Sequence, residues 1–316
     1  MKILITGAAG FLGSRLIRAL LSGRADLPVV SRIVAADLDA RLYDDDRVES
    51  RTGTITDEQF VRDIVDDGVD VVYHLAAVLS GQSEVEFELG MQVNVDATRL
   101  LLDNCRRLET VPRFIFTSSL AVFGGEVPDV VPDDHVLRPQ SSYGVGKAVG
   151  ELFVGEYSRR GFIDGLVCRL PTISVRPGRP NAAASSFVSG MIREPLAGGE
   201  SVCPVPLETR LWISSPDVAV RNLVHAAALP ASALGGQRTL NLPGITVTVT
   251  EMLDSLERLG GAAARARVKC EEDSRVADIV CSWPGAFDVG RALSLGFEAD
   301  GDFDSVVRQH MNGRPL

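Results

Sequence analysis

The stretch "ITGAAGFLGSRL" (5–16) decides the fold. It contains Gly7, Gly10 and Gly13 in the spacing GxxGxxG, between an apolar run (2–6) that predicts a strand and a segment (11–21) with helical apolar spacing. In such a turn Gly7 allows a tight bend, Gly10 lets the backbone approach a pyrophosphate, and Gly13 lets helix and strand pack closely. The free N–H groups at the start of the helix would face the phosphates. The stretch therefore predicts a dinucleotide site.

The segments that follow alternate between buried strands and helices. Apolar runs predict strands at 32–37, 70–76, 113–119 and 165–171, and helical patterns lie at 57–66, 92–107 and 142–159. At the start of the first of these helices, Thr56 and Gln59 have the spacing of a capping box. Strands that alternate with helices favour a parallel sheet with helices on both faces. The sequence therefore predicts an α/β fold with a doubly wound parallel (Rossmann) sheet.

The Pro/Gly-rich stretch 171–181 interrupts this alternation. Further helices are predicted near 186–197, 216–228 and 250–259. We interpret residues 1–170 as a dinucleotide-binding Rossmann domain to which 214–242 return, with at least one strand added to the main sheet. Residues 171–213 and 243–316 are then expected to form a smaller, mixed α/β substrate-binding lobe.

Composition excludes several classes of protein. The 316 residues carry a formal net charge of -10, which disfavours a polyanionic partner such as a nucleic acid. No apolar run approaches the length of about 20 residues that a membrane span needs. The five cysteines are odd in number, widely spaced and without a CxxC pair, so we expect no metal site and a reducing, cytoplasmic location.

Asp37 ends the second predicted strand, 24 residues after Gly13. A carboxylate at this position accepts hydrogen bonds from the ribose 2′-OH and repels a 2′-phosphate, which favours NAD over NADP. A solvated turn acid is the alternative interpretation, because Asp39 is close by. Arg41 is the main counter-evidence, since an arginine here could accept a phosphate.

Three side chains have the chemistry of a proton-transfer site. Tyr143 and Lys147 are four residues apart in "SSYGVGKAVGEL", so they share one face of the predicted helix. A phenol has a pKa near 10, and a nearby ammonium group favours its phenolate form. Ser119 follows the strand at 113–119, at the end of the sheet where ligands bind, and its hydroxyl could hold a substrate oxygen. A surface Tyr–Lys pair is the alternative interpretation.

Taken in order, these motifs resemble the extended short-chain dehydrogenase/reductase family, which includes the NAD-dependent nucleotide-sugar epimerases. The resemblance is carried by GxxGxxG, "HLAA" (74–77), "VNVDAT" (93–98), "SSLAVFG" (118–124) and YxxxK, and it covers almost the whole chain. It implies that Tyr143 is the general acid/base, that Lys147 holds the nicotinamide ribose, and that Ser119 orients the substrate hydroxyl or carbonyl.

The resemblance also implies a set of cofactor contacts. The residues expected to contact NAD are Gly7, Gly10, Phe11, Leu12, Gly13, Asp37, Thr54, Ile55, Leu75, Ala76, Ala77, Asn94, Tyr143, Lys147 and Pro171. In "GTITD" (53–57) Thr54 replaces the acid usual in the family, so this sequence departs from the family pattern on the adenine side.

The stretch "RLPTISVRPGRPNAAASSF" (169–187) also departs from the nucleotide-sugar enzymes of the family. Thr172 stands where those enzymes have Asn, and small residues (181–186) follow where a nucleotide would need an extended groove. Two arginines in this stretch, Arg176 and Arg179, and Arg210 further on could bind a carboxylate with their planar guanidinium groups, although each could instead pair with a surface acid. The stretch is most similar to family members that oxidise the C2 hydroxyl of a four-carbon sugar acid.

The sequence thus predicts an NAD-dependent enzyme that oxidises the C2 hydroxyl of a short sugar acid to the 2-oxo acid. The expected substrate contacts are Ser80, in a loop (78–84) over the substrate, Ser119, Tyr143, Thr172, Arg176, Arg179 and Arg210. A nucleotide-sugar epimerase, a short-chain L-threonine-type dehydrogenase and a non-catalytic dinucleotide sensor are the alternatives. The helical faces at 92–107 and 142–157 could form the interface of a homodimer.

Overall fold

The computed structural model describes residues 1–23, 27–39, 41–178 and 183–313. Within them, a parallel sheet of seven strands has the order β10-β6-β5-β4-β1-β2-β3. Its strands are β1 (Lys2–Thr6), β2 (Arg32–Asp37), β3 (Val48–Thr52), β4 (Val71–His74), β5 (Arg113–Ser119), β6 (Asp164–Leu170) and β10 (Thr239–Asn241). The predicted doubly wound parallel sheet is confirmed.

Helices cover both faces of this sheet. They are α1 (Phe11–Ser22), α2 (Glu58–Ile64), α3 (Ser80–Val85), α4 (Phe87–Met91), α5 (Ala97–Cys105), α6 (Ser142–Arg159) and α8 (Pro216–Ala228). One buried apolar cluster packs α1 and α8 against one face of the sheet, and a second packs α2 and α5 against the other. The strand order reverses between β1 and β4, so the crevice outside their carboxyl ends is the expected ligand site.

The rest of the chain forms a smaller lobe with its own apolar cluster. Its strands are β7 (Thr172–Ile173), β8 (Ser201–Cys203), β9 (Arg210–Ser214), β11 (Ile245–Thr248) and β12 (Val268–Cys270). Its helices are α7 (Ser186–Leu196), α10 (Val249–Gly260), α11 (Ala262–Arg265), α12 (Ser274–Val280) and α14 (Phe303–Met311). The short helices α9 (Ala231–Leu234) and α13 (Gly290–Ser294) instead contribute Leu234 and Ala292 to the apolar cluster of the main sheet. The strand expected to return to the main sheet is β10. The division into two functional lobes stays a prediction.

Two local predictions differ from the structure. The helix predicted at 57–66 begins at Glu58, and its cap is Asp57 rather than Thr56, because the Asp57 carboxylate accepts the N–H groups of Gln59 and Phe60. The helix predicted at 92–107 begins with a π-helical turn (Gln92–Asp96) that continues into α5. None of the described helices combines the length and the apolar character needed to cross a membrane.

Candidate active site

A cavity of about 640 Å³ lies at the carboxyl ends of the central strands. Most of the predicted site residues line it: Gly7, Gly10, Phe11, Leu12, Gly13, Asp37, Thr54, Ile55, Leu75, Ala76, Ala77, Ser80, Ser119, Tyr143, Lys147, Pro171, Thr172 and Arg176. The glycine-rich turn forms one end of the cavity, and the segment after β6 and the C-terminal lobe form the other. The cavity thus joins the nucleotide motif and the proton-transfer motif in one space.

The glycine-rich turn fits a dinucleotide. Gly7 has φ +73°, and a Cβ atom there would lie 2.7 Å from the backbone nitrogen of Ala76. A Cβ atom at Gly13 would lie 2.3 Å from the Gly7 carbonyl oxygen, so α1 could not approach β1 as closely with any other residue. No side chain caps the start of α1 after Gly10, and no acid lies in its first turn. The N-terminal N–H groups are therefore open to a pyrophosphate.

Asp37 lies at the end of β2 with its carboxylate fixed by the backbone. One oxygen accepts the Ala9 N–H (2.8 Å) and the other accepts the Leu38 N–H (2.7 Å). The second oxygen also accepts the Asp39 N–H (3.4 Å), so the oxygen bound by Ala9 is the one that keeps a lone pair for a ribose hydroxyl. Arg41 instead donates to the Ala9 carbonyl oxygen and lies over the ring of Tyr43. Within the described residues, Arg41 is not among those that line the large cavity.

Ser119, Tyr143 and Lys147 come together at the end of β5 and the start of α6. The Ser119 hydroxyl lies beside the Tyr143 hydroxyl, where it lowers the pKa of Tyr143. Lys147 is only 3% exposed, its Nζ donates to the Thr117 carbonyl oxygen (2.7 Å), and Nζ lies 5.7 Å from the centre of the Tyr143 ring. The Ser141 hydroxyl caps α6 by accepting the Gly144 N–H, which fixes the helix just before Tyr143. Lys147 is thus buried behind Ser119 and Tyr143, which are half-buried at the wall of the cavity.

Burial changes the acid–base balance of this pair. Desolvation raises the pKa of Tyr143 to about 12, an effect that outweighs the opposing hydrogen bond from Ser119. Desolvation also lowers the pKa of Lys147 to about 7, against an opposing charge on Glu151. Burial disfavours the charged form of both groups and so opposes the effect of the Lys147 charge on Tyr143, whose role as the base stays a prediction. Lys147 is the member of the pair whose charge changes near neutral pH.

Asn94 is the predicted cofactor residue that does not line the cavity. It is buried on the π-helical turn, where its Oδ1 accepts the Val78 N–H (2.9 Å) and its Nδ2 donates to the Val78 carbonyl oxygen (3.1 Å). Both contacts hold the segment after β4, which does line the cavity. Asn94 therefore acts on the site through the backbone of Val78.

The three predicted arginines have different outcomes. Arg176 lines the cavity, and among the described residues no carboxylate is paired with its guanidinium group. Burial lowers the pKa of Arg176, and the charge of Arg193 lowers it further. Arg210 is exposed at the start of β9 and does not line the cavity, so the structure does not bring it to the site. Arg179 lies outside the described residues.

Two contacts from α7 fix the backbone of Arg176. Its N–H donates to the Ser189 Oγ (2.9 Å), and its carbonyl oxygen accepts Nη1 of Arg193 (2.6 Å). The guanidinium group is therefore carried by a backbone that is held at both polar atoms. This guanidinium group is half-buried and has no carboxylate partner among the described residues. This end of the cavity is therefore suited to bind an anion.

Ser80 meets the other lobe across the cavity. It is 5% exposed, and its Oγ accepts the Ala184 N–H (3.0 Å). Its hydroxyl proton stays available to a ligand, because a serine oxygen can accept one hydrogen bond and donate another. The loop predicted to cover the substrate thus contacts the segment that precedes α7.

Sequence reasoning missed several residues of the cavity wall, including Gln82, Ser185 and Trp283. Trp283 follows α12, more than a hundred residues after the last motif of the resemblance, and no motif marks it. Gln82 lies on α3, inside the loop predicted to cover the substrate, so its position was within reach of the sequence. Among the described residues, no group of His, Cys, Asp and Glu side chains could hold a metal ion.

Comparison with known proteins identifies similar chains over the full length. The model of the NAD dependent epimerase/dehydratase family matches residues 3–240. D-erythronate dehydrogenase of Cupriavidus necator is 53% identical over 100% of this chain and 99% of that protein. D-erythronate dehydrogenase of Haemophilus influenzae is 44% identical over 98% of both. A crystal structure titled nucleoside-diphosphate-sugar epimerase, from Agrobacterium tumefaciens, is 38% identical, with a TM-score of 0.93 over 99% of this chain and 94% of that one.

Proposed function

This chain belongs to the NAD-dependent epimerase/dehydratase family, and we propose that it oxidises the C2 hydroxyl of D-erythronate or a close sugar acid to the 2-oxo acid. The predicted resemblance to the extended short-chain dehydrogenases is confirmed, as is the dependence on NAD. The identity to two D-erythronate dehydrogenases over nearly the whole chain carries the proposal. The cavity supports it, because Arg176 lines the same space as Tyr143 and Ser119.

The residues that would hold NAD extend from the glycine-rich turn to α6. The start of α1 takes the pyrophosphate, Asp37 takes the adenosine ribose, and Lys147 takes the nicotinamide ribose. When bound, NAD accepts the hydride that leaves C2 of the substrate. The segment after β4, held by Asn94, forms the wall beside the cofactor.

The remaining steps belong to side chains of this chain. Arg176 binds the substrate carboxylate with its planar guanidinium group, which places C2 next to the proton-transfer residues. Ser119 orients the C2 oxygen by a hydrogen bond. Tyr143 accepts the proton of the C2 hydroxyl, and Lys147 in its ammonium form stabilises the phenolate that this step requires.

The experiment that tests this function is a screen for NADH release. The purified protein is incubated with NAD and a panel of aldonic acids, L-threonine and nucleotide-diphosphate sugars, and absorbance of NADH is followed. We expect steady NADH formation with D-erythronate and little with the other two classes. NADH formation with L-threonine alone would contradict the proposal. So would isomerisation of a nucleotide sugar without NADH release.

We expect Asp37→Ala to narrow the preference for NAD over NADP. Asp37 accepts from ribose hydroxyls, and a hydrogen bond to a charged group contributes about 1.5–3 kcal/mol, so kcat/KM for NAD should fall roughly tenfold or more. Activity with NADP should fall less, since the charge that repels its 2′-phosphate is also removed. Kinetics with both cofactors measure this ratio. Equal use of NAD and NADP by the unsubstituted protein would contradict the role of Asp37.

We also propose a homodimer and a cytoplasmic location. Apolar side chains are exposed on the outer face of α6, where Leu152 is 68% exposed and Val145 is 40% exposed. Such a face favours association with a second copy through α6 and the neighbouring α5. The five cysteines are free thiols, a state that a reducing compartment maintains.

A further inference from the structure

Three turns of α6 meet three consecutive residues at the end of β5. The pairs are Tyr143 with Ser119, Lys147 with Thr117, and Glu151 with Ser118. The first two pairs belong to the proposed proton-transfer site. The third pair places a carboxylate one helical turn beyond Lys147, on the same face of the helix. Glu151 has no part in the mechanism described above.

Glu151 forms a buried ion pair with Arg169 of β6. Its Oε1 accepts the Ser118 Oγ–H (2.5 Å) and Nε of Arg169 (2.9 Å), and its Oε2 accepts Nη2 of Arg169 (2.7 Å). The two side chains are only 4–5% exposed. Arg169 also donates to the carbonyl oxygen of Asp133 and to the side chain of Asn241. A buried ion pair adds little net stability compared with apolar side chains of the same volume, so stability alone does not account for this pair.

The charge of Glu151 acts on Lys147. Burial lowers the pKa of Lys147, and Glu151 opposes that effect by stabilising the ammonium form. The other titratable groups around this position do not supply a second anion at Lys147. His74 on β4 is buried, and desolvation lowers its pKa to about 3, so it is neutral. Asp133, in the loop before α6, faces Arg169 and the N–H of Asn241.

We propose that Glu151 is a positioning residue that keeps Lys147 in its ammonium form and holds the Ser119 end of β5 against α6. Arg169 fixes the Glu151 carboxylate so that one oxygen stays directed at Ser118. Without the Glu151 charge, Lys147 loses its proton at lower pH, and the ammonium group that stabilises the Tyr143 phenolate is lost. This inference rests on the oxidation proposed above.

The test is the pH dependence of kcat for D-erythronate oxidation at saturating NAD. In the unsubstituted protein we expect kcat to rise with pH through about 7. The Tyr143/Lys147 pair loses one proton over this range, and the active form is the one in which Tyr143 has lost it and Lys147 has kept it. Glu151→Gln keeps the size of the side chain but removes its charge, which lowers the pKa of Lys147. The rise in kcat should therefore move to lower pH by roughly one unit. The plateau of kcat should fall, because the proton that the pair loses then comes more often from Lys147 than from Tyr143. Glu151→Asp keeps the charge, so its rise should stay within a few tenths of a unit.

A purely structural role predicts the opposite order, because Asp changes the packing more than Gln does. Glu156→Gln is the matched control, since Glu156 lies on the same helix in an exposed pair with Arg159 and should leave the profile unchanged. Glu151→Gln leaves Arg169 as an unpaired buried charge, so thermal melting is needed to show that this variant folds. If it does not fold, the double variant Glu151→Gln/Arg169→Gln removes that charge as well and should still move the rise in kcat to lower pH.

An unshifted rise in the Gln variants, with normal turnover in the unsubstituted protein, would overturn the role of Glu151 alone. An equal shift in Glu151→Asp and Glu151→Gln would overturn it as well. If the unsubstituted protein forms no NADH from any sugar acid, the proposed function fails instead, and the two results are therefore distinguishable.

Discussion

Tyr143→Phe is expected to lower kcat for sugar-acid oxidation by about 10²–10⁴-fold, the usual contribution of a general acid/base. The ring of Phe packs as the ring of Tyr does, so the affinity for NAD should change little. Only the hydroxyl that lies beside Ser119 is removed, and with it the group proposed to accept the C2 proton. Steady-state kinetics and NAD titration by fluorescence quenching measure the two effects separately.

The matched control for this variant is Tyr157→Phe. Tyr157 lies on the same helix, but its hydroxyl donates to the Asp103 carboxylate at the surface (2.8 Å), away from the cavity. Loss of the Tyr157 hydroxyl should leave kcat within about twofold, because Tyr157 does not line the cavity. The fold should also be kept, since surface substitutions usually change the free energy of unfolding by no more than about 0.5 kcal/mol. If Tyr143→Phe retained more than half of the activity, the base would be a different residue.

Arg176→Ala is expected to lower kcat/KM for the sugar acid by at least about 30-fold. Removing one partner of a buried charge pair costs about 2–5 kcal/mol, and 1.36 kcal/mol corresponds to a factor of ten. The loss should appear mainly in KM, and NAD affinity should be kept, because Arg176 lies at the far end of the cavity from the glycine-rich turn. Arg176→Lys should recover only part of the loss, since an ammonium group cannot bind both carboxylate oxygens in one plane.

The substrate can be changed as well as the protein. Erythronamide lacks the negative charge, so the unsubstituted protein should use it poorly, and Arg176→Ala should use the amide and the acid about equally. Arg221→Ala, which removes a surface pair with Glu298, serves as the control. A normal KM for the acid in Arg176→Ala, with a raised KM in Arg210→Ala, would move the carboxylate site to β9.

The parts of the fold with regular periodicity were predictable from sequence. The bounds of β1, β2, β5 and α6 follow from apolar runs and helical spacing, since a strand buried on both faces and a helix packed on a sheet leave strong patterns. The cap of α2 was misplaced by one residue because Thr56 and Asp57 both suit an N-cap, and the choice depends on backbone geometry that neighbouring residues do not encode.

The residues of the candidate site also fall into those that a local sequence pattern predicts and those that it does not. Gly7, Gly13, Tyr143 and Lys147 belong to local motifs, and the joint presence of these motifs along the chain was enough to select them. Trp283 reaches the cavity only through the packing of a distant lobe, and no local pattern marks such a residue. Glu151 was likewise invisible, because a glutamate in a helix is usually exposed, and its ion pair with β6 exists only in the folded chain.

The pairing of three helical turns with three consecutive strand residues also limits how this region can change in length. Each residue of an α-helix adds a rotation of about 100°, so one residue inserted between Tyr143 and Glu151 would turn every later side chain away from β5. All contacts beyond the insertion would be lost together, whereas a substitution removes one at a time. We therefore expect insertions and deletions to be tolerated before Ser141 and after Arg159, in the loops that flank α6, rather than within the helix.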